Sequence, residues 1–464
     1  MREKEEAGGL RKKHTLSTAQ IIALGFFLAI LVGSLLLCLP VCSAQGEWTP
    51  YVDALFTSAS SVCVTGLTVM NTATEWSFFG QLVILMLIQC GGLGIITFVT
   101  FLMLLIGHKV TLSDRLLIED AFNLNTLRGL VRFLKKVLLG TLMIEGIGAV
   151  CYMFVFVPEY GIIGIWYAVF HAVSAFCNAG LDVIGSNSMM NYVTHPWMNL
   201  VTMLLTIIGG IGFVVWWDVQ KVIREIRNGD VAGRFFFRRL KLHTKLVICT
   251  TAVLILGGAL FVFVFEYSNP ETLGTLSPGN KIMAALFQSV TFRTTGFVTI
   301  PQSELQDGTI LLGTVLMMIG GSPVGTASGI KTTTVAIAFF TIIATIRGRE
   351  RVTVFKRTIP EQTSRKAVSV VVIFSSLLFV MIMLMSVIEP GSLKDVAFET
   401  VGAISTVGLS RGYTEQLSLL GRILIIICMY IGRVGPISMA IAFDFKRKKE
   451  NNRIRYPEED ITIG

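Results

Sequence analysis

Val64-Thr65-Gly66-Leu67 follows a short, moderately apolar segment, Ala54–Cys63, and the arrangement recurs three times along the chain. The later strings are Asn178-Ala179-Gly180-Leu181, Thr294-Thr295-Gly296-Phe297 and Thr406-Val407-Gly408-Leu409, with their glycines 114, 116 and 112 residues apart. A near-constant period of this kind marks an internal repeat. About 24 to 30 residues after each glycine, a second glycine motif lies inside a long apolar run. These motifs are Gly91-Gly92-Leu93-Gly94, Gly209-Gly210-Ile211-Gly212, Gly320-Gly321-Ser322-Pro323 and Gly432-Arg433-Val434-Gly435. Each repeat therefore reads as long span, short helix, glycine string, long span.

Composition identifies the solvent around these spans. Of 464 residues 53% are hydrophobic and only 15% charged, with mean hydropathy +0.70. A soluble surface needs roughly a quarter of its residues charged, so soluble enzymes, nucleic-acid-binding domains and disordered hubs are excluded. The net charge of +9 does not indicate a nucleic-acid partner, because 32 of the 39 Lys and Arg fall in five stretches: 1–14, 108–136, 221–245, 346–366 and 446–464. The positive-inside rule puts all five on the cytoplasmic side of a lipid bilayer. Each apolar block between them then crosses an even number of times, and both termini are cytoplasmic. The run Ile21–Pro40, behind Lys12 and Lys13, has small residues (Cys42, Ala44) where a signal peptidase would cut. It is longer than a signal core, and its loss would leave an odd number of spans, so it reads as a retained helix. The eight cysteines form no CxxC and sit mostly in apolar runs, as small hydrophobes do. The five histidines are scattered, and no metal site or catalytic constellation is expected.

The short segment of each repeat has about 12 helical residues, or roughly 18 Å. It cannot cross a hydrocarbon core of about 30 Å, so it must enter and return on one side. Such a loop survives in a membrane only when protein buries it or it lines water. Four of them satisfy each other around a shared axis. The expected fold is all-α and membrane-integral, with eight transmembrane helices and four re-entrant pore helices. These form four tandem span–pore loop–span repeats around one pseudo-fourfold ion pore. The expected organisation is a cytoplasmic N-terminus 1–14, repeats 15–107, 130–223, 241–347 and 364–446, cytoplasmic linkers 108–129, 224–240 and 348–363, and a cytoplasmic tail 447–464. The first span of each repeat lies near 18–40, 134–157, 246–266 and 367–388.

A dehydrated cation needs a fixed cage of oxygens, which rings of backbone carbonyls supply. Glycine permits positive φ and leaves the path clear. The ion-binding candidates are Val64, Thr65, Gly66, Asn178, Ala179, Gly180, Thr294, Thr295, Gly296, Thr406, Val407 and Gly408. Four pore-helix C-termini aimed at the axis add a charge of about −2.

Seven Lys and Arg lie outside the basic stretches: Lys281, Arg293, Lys331, Lys394, Arg411, Arg422 and Arg433. Four belong near loop ends on the far side, and Arg293 is placed to brace the third string. Lys331 and Arg433 fall inside second spans, where a charge costs about 2.5–3.5 kcal/mol and must face water or a partner. Arg433 occupies a glycine-motif position beneath the strings, either as an electrostatic barrier in the cavity or as a structural ion pair, with Glu145 as candidate counter-ion. The run 320–334, rich in Gly, Ser and Thr, will not stay helical. It lacks the Gly-Lys-Ser/Thr of a phosphate loop, since Ile330 separates Gly329 from Lys331. A break at that depth is a candidate gate, made of Gly320, Gly321, Ser322, Gly325, Thr326, Gly329, Lys331 and Arg433. Asp182 either concentrates cations at the mouth or caps a local turn.

Ser60–Val69 (SSVCVTGLTV), Ala175–Val183 (AFCNAGLDV), Ser289–Val298 (SVTFRTTGFV), Gly320–Thr333 (GGSPVGTASGIKTT) and Ile431–Pro436 (IGRVGP) carry a resemblance. Through them, nearly the whole chain resembles the TrkH/KtrB/HKT superfamily of potassium transporters, its KtrB branch above all; the tail Tyr456–Asp460 (YPEED) is also similar. The resemblance implies a bacterial plasma-membrane homodimer with one pore per protomer and K⁺ as the transported ion. It also implies a cytosolic, nucleotide-binding ring of RCK type (KtrA-like) that controls opening, and uptake stimulated by Na⁺. Glycine in all four strings favours K⁺, since some relatives with Ser in the first carry Na⁺. The competing reading, a secondary transporter with broken helices for another cation or small solute, predicts two inverted halves and not four units of one direction.

Overall fold

The computed structural model describes residues 17–94, 97–98, 130–185, 187–230 and 232–435. The expected termini 1–14 and 447–464 and the linker 108–129 lie outside the described residues.

Four long helices form the outer wall: Thr18–Leu37, Leu130–Tyr160, Leu242–Glu266 and Glu361–Ile388. They have 20, 31, 25 and 28 residues, so at 1.5 Å per residue each is long enough for a hydrocarbon core. All four are apolar enough to cross a membrane, and Leu35, Leu139, Phe154, Val253 and Val387 point large side chains outward, as a lipid-facing surface requires. The first begins at a capping box, where the Ser17 hydroxyl accepts from Gln20 N–H and the Gln20 side chain accepts from Ser17 N–H.

Inside this wall lie the four short helices Tyr51–Cys63, Ile163–Cys177, Pro278–Thr291 and Leu393–Ile404. With 12 to 15 residues they are too short to span, and their last two turns are almost wholly buried. Small residues let the outer helices approach. A Cβ on Gly33 would meet the Ser58 hydroxyl, which donates to Ile30 O at 2.8 Å. Two repeats later the same contact recurs, with Gly258 against Ser289, whose hydroxyl donates to Ile255 O at 2.8 Å.

A third set follows each string: Phe78–Leu93, Pro196–Gly210, Asp307–Met318 and Leu419–Val434. Three of these inner helices start at side-chain caps, Ser77, His195 and Ser418. The sequence predicts continuous inner spans in every repeat but the third, but the first and fourth inner helices end at the positive-φ Gly94 and Gly435, and the second is sharply bent. After Gly210 the chain turns by 99° into Phe213–Arg227, because Gly212 has φ +92° and Phe213 N–H donates to Val324 O at 3.0 Å. In the third repeat, the segment 320–331 separates Asp307–Met318 from Thr332–Ile346. A small antiparallel hairpin, Thr353–Val354 with Arg357–Thr358, stands in the linker before the last repeat. Its turn residues Phe355 and Lys356 have φ +51° and +63°.

Candidate ion pathway

Backbone hand alternates along every glycine string. Val64, Asn178, Thr294 and Thr406 have φ of +56°, +63°, +86° and +50°, and Gly66, Gly180, Gly296 and Gly408 have +100°, +66°, +89° and +79°. The residue between them is not left-handed. Alternation turns successive carbonyls toward one side, and each left-handed non-glycine residue costs roughly 1–3 kcal/mol unless its surroundings hold it. The short helices do the holding. Thr65, Ala179 and Val407 N–H donate to Ser60, Ser174 and Gly402 O at 2.8 Å, and Thr295 N–H to Thr291 O at 3.2 Å. Hydroxyls reach further along: Ser60 accepts from Gly66 N–H at 3.1 Å, Ser174 donates to Leu181 O at 2.6 Å and Thr291 donates to Phe297 O at 2.7 Å.

The four strings close a ring. A Cβ on Gly66 would collide with Ala179 O, on Gly180 with Thr295 O, on Gly296 with Val407 O and on Gly408 with Thr65 O, each inside 3.0 Å. Each string thus abuts the next, and the fourth abuts the first. All four glycines open into one cavity of about 320 Å³. The hydroxyls of the string residues Thr65, Thr295 and Thr406 are buried with no partner among the described residues, which suits oxygens that meet an ion or water.

Around this mouth the cations of the loop ends are paired. Arg411 donates to Asp395 at 2.7 Å and to Gln302 O and Ser303 O at 3.0 Å. Arg422 pairs with Asp53, and Lys394 with Asp307 at 2.8 Å, tying the fourth repeat to the first and third. Lys281 donates to Tyr267 O at 2.8 Å and sits 4.1 Å over its ring. Buried Glu399 accepts from the Ser410 and Thr414 hydroxyls, fixing the chain beyond the fourth string. Asp182 lines the cavity and also holds a local turn. Burial pushes its carboxyl up to about 6, although Ser188 and the amides of Ile184 and Gly185 donate to it.

Beneath the strings, the second glycine motifs are sites of close approach. A Cβ on Gly91, Gly209 or Gly432 would collide with Val62, Phe176 or Ile404 O at the ends of the short helices. The segment 320–331 lies against them. Ser322 and Thr326 N–H donate to Gly210 and Gly209 O at 2.8 and 3.2 Å. The Thr326 hydroxyl donates to Asn178 Oδ1 at 2.9 Å, and Ser322 and Thr332 share a hydroxyl bond of 2.8 Å. Arg433 staples the segment from the other side. Its Nη1 donates to Thr326 O at 2.6 Å and Ser328 Oγ at 2.9 Å, and its Nη2 to Gly91 O and to Gly92 O at 3.4 Å.

The sequence-derived candidates thus meet in two adjoining groups, the ring of strings and the segment below it, with Asn178 joining the two. Two assignments change, those of Glu145 and Arg293. Glu145 is not the counter-ion of Arg433: it accepts from Gln89 at 3.2 Å and lies 3.8 Å from the Cys177 thiol, while Arg433 makes no ion pair among the described residues. Backbone carbonyls compensate that guanidinium, and residue type in an apolar run gives no sign of it. Arg293 donates to Gly320 O at 2.9 Å, so among the described residues its guanidinium braces the start of the segment and not the third string. Lys331 donates to Ala327 O at 2.6 Å and shapes the segment from within. Sequence reasoning did not find the acceptor role of Gly91, Gly92, Gly209 and Gly210, or the left-handed Val324.

Helical spans, four re-entrant helices and a closed ring of glycine strings define a membrane transporter of the pore-loop class. The chain belongs to the TrkH family of cation transport proteins, whose pattern it matches over residues 19–454. It is 40% identical to the Ktr system potassium uptake protein B of Bacillus subtilis, over 96% of each chain. It is 37% identical to the potassium/sodium uptake protein NtpJ of Enterococcus hirae, over 98% of this chain and 99% of that one. The fold is that of the crystal structure of the potassium transporter TrkH from Vibrio parahaemolyticus, with TM-score 0.72 at 17% identity, covering 93% of this chain and 86% of that one. The family transports cations, so the chain is not an enzyme.

Proposed function

We propose that this chain is the ion-translocating subunit of a Ktr-type potassium uptake system, conducting K⁺ through the four glycine strings. The observation that carries this is the ring. Four strings of alternating hand abut in cyclic order and open into one mouth. The filter comprises residues 64–66, 178–180, 294–296 and 406–408, one string from each of the repeats 15–107, 130–223, 241–347 and 364–446. Carbonyls replace the hydration shell of K⁺, and four helix C-termini favour the cation. Segment 320–334 with Arg433 is the gate. It sits below the ring, held by hydrogen bonds that exchange at small cost. The names of the Bacillus and Enterococcus relatives support K⁺ as the ion, and the second supports a part for Na⁺.

In this reading the protein works as a homodimer in the bacterial plasma membrane, with both termini and the basic linkers cytoplasmic. A cytosolic RCK-type, nucleotide-binding ring docks there and relieves the gate. Rb⁺ flux into proteoliposomes, with K⁺ and Na⁺ as competitors, tests the reading. Flux blocked by K⁺ and spared by Na⁺ supports it, and absence of flux with and without the partner ring refutes it.

A further inference from the structure

The face that carries the basic linkers holds a second cavity, of about 1140 Å³. It lies between the end of Thr332–Ile346, the hairpin around Phe355 and the start of Glu361–Ile388. Its floor is preformed, because Val352, Val354 and Ile359 pack with Ala336, Ala344 and Leu246, and Ile359 N–H donates to Val352 O at 2.9 Å. Phe355 at the hairpin tip rests edge-on against Phe237.

Three features of this cavity suit an oxyanion. Arg349, Arg351 and Arg365 line it, together with Glu350 and Glu361. Of the three arginines only Arg365 has a carboxylate partner among the described residues, Glu361 at 2.5 Å, and the stretch 346–366 carries seven Lys and Arg against two Glu. The N-terminus of a 28-residue helix also opens here, with Pro360 as a cap that offers its first-turn amides no side-chain acceptor. Ser364 is 4% exposed and lines the cavity, yet its hydroxyl has no partner among the described residues. Buried hydroxyls are rarely left unsatisfied, so an acceptor belongs beside it.

The flanks identify the source of that acceptor. Ile342 and Ile346 on one bounding helix, and Val368 and Val372 on the other, are exposed and apolar, and the membrane surrounds both helices. A ligand with an anionic head and apolar tails satisfies the cavity and its flanks together. We propose that this cavity binds the phosphate headgroup of an anionic phospholipid of the adjoining leaflet, whose acyl chains run along Ile342, Ile346, Val368 and Val372. Basic pockets between membrane helices recognise such headgroups. The site is placed to matter for transport, because Thr332–Ile346 begins at Lys331, where the segment beneath the glycine strings ends. A bound lipid anchors the far end of that helix.

The test uses the full-length protein in uncharged detergent, titrated with short-chain phosphatidylglycerol, phosphatidylcholine of the same chain length, or glycerol phosphate, with the thermal unfolding midpoint as readout. Phosphatidylglycerol is expected to raise the midpoint saturably, and the other two are not. Each Arg near an anionic headgroup contributes about fivefold in affinity, so R349Q/R351Q/R365Q should move half-saturation up by about a hundredfold. Ser364→Ala, which removes one hydroxyl and keeps every charge, should move it by about fivefold; this variant decides the matter if the triple variant does not fold. R238Q/R239Q, on a different linker, should respond as the unaltered protein does. An equal response to phosphatidylcholine, or an unaltered response in both site variants, overturns the proposal. Glycerol phosphate matching phosphatidylglycerol would assign the site to free phosphate and overturn the lipid. Loss of a cytosolic partner in the site variants, with an unchanged lipid response, would assign the cavity to protein docking and overturn it equally.

Discussion

Replacing Arg433 by Gln perturbs the candidate gate at the point where the geometry allows a magnitude. The guanidinium gives segment 320–331 two hydrogen bonds, to Thr326 O at 2.6 Å and Ser328 Oγ at 2.9 Å, while its other nitrogen is anchored on Gly91 O and Gly92 O. A hydrogen bond from a charged donor contributes about 1.5–3 kcal/mol and a neutral one about 1 kcal/mol. A glutamine in its place can keep at most one neutral bond, so the stapled state loses about 2–5 kcal/mol. At about 1.4 kcal/mol per tenfold, the ratio of released to stapled segment rises at least roughly thirtyfold. The fold itself should suffer less, because a buried guanidinium carries its own desolvation cost. The assay is Rb⁺ uptake by proteoliposomes without a cytosolic partner, where basal flux should rise at least about tenfold, a floor set below that population ratio. Arg433→Lys separates the two roles of the residue. Lysine keeps the charge but cannot bridge four acceptors, so it should behave like Gln if stapling matters and like Arg if only the barrier charge does. K⁺ over Na⁺ preference should persist, since the strings are untouched. If R433Q and R433K both dimerise normally and show wild-type basal flux, the segment is a structural kink and not a gate.

Other outcomes follow from the same geometry. Excising Ser322–Ile330 should raise basal flux similarly without unfolding the chain, since Thr332 N–H already donates to Gly321 O at 3.0 Å; unaltered flux in a folded deletion refutes gating. Gly66→Ser or Gly408→Ser puts a side chain against a neighbouring carbonyl at φ +100° or +79°, so Rb⁺ uptake should become as sensitive to Na⁺ as to K⁺. Unchanged preference in both variants removes the filter assignment. Asp182, with its carboxyl near 6, carries its charge above that pH and loses it below. Apparent K⁺ affinity should therefore fall between pH 7 and 5 in the wild type and stay flat in D182N, and a parallel fall in D182N assigns the effect elsewhere. Deleting 447–464 should reduce dimer recovery or partner co-purification on size-exclusion chromatography, and an intact complex argues against a tail contact.

The parts of this fold that were legible in sequence are those where chemistry admits one residue type. Gly66, Gly180, Gly296 and Gly408 are spaced visibly because each combines positive φ with a carbonyl inside Cβ range. The short helices are legible because 12 to 15 residues cannot span a bilayer. What stays hidden is conformation adopted by ordinary residues. Val64, Asn178, Thr294 and Thr406 are left-handed without being glycine, and nothing in their types announces it. The 99° turn after Gly210 depends on a carbonyl from Val324, more than a hundred residues away. Glu145 reads as a counter-ion because it is an acid in an apolar span, yet Gln89 and Cys177 satisfy it locally. The hairpin at 353–358 lacks the Asn-Gly that betrays such turns, carrying Phe355-Lys356 in its place.

The proposed function requires the four glycine strings to form one K⁺-selective path. Rb⁺ uptake into proteoliposomes holding the purified protein, driven by an outward K⁺ gradient, tests it most directly when external K⁺ and Na⁺ are titrated as competitors. Uptake above that of protein-free vesicles is expected, suppressed by K⁺ at concentrations where Na⁺ does not suppress it. Equal suppression by Na⁺ and K⁺, in protein whose glycine strings are intact, would contradict it.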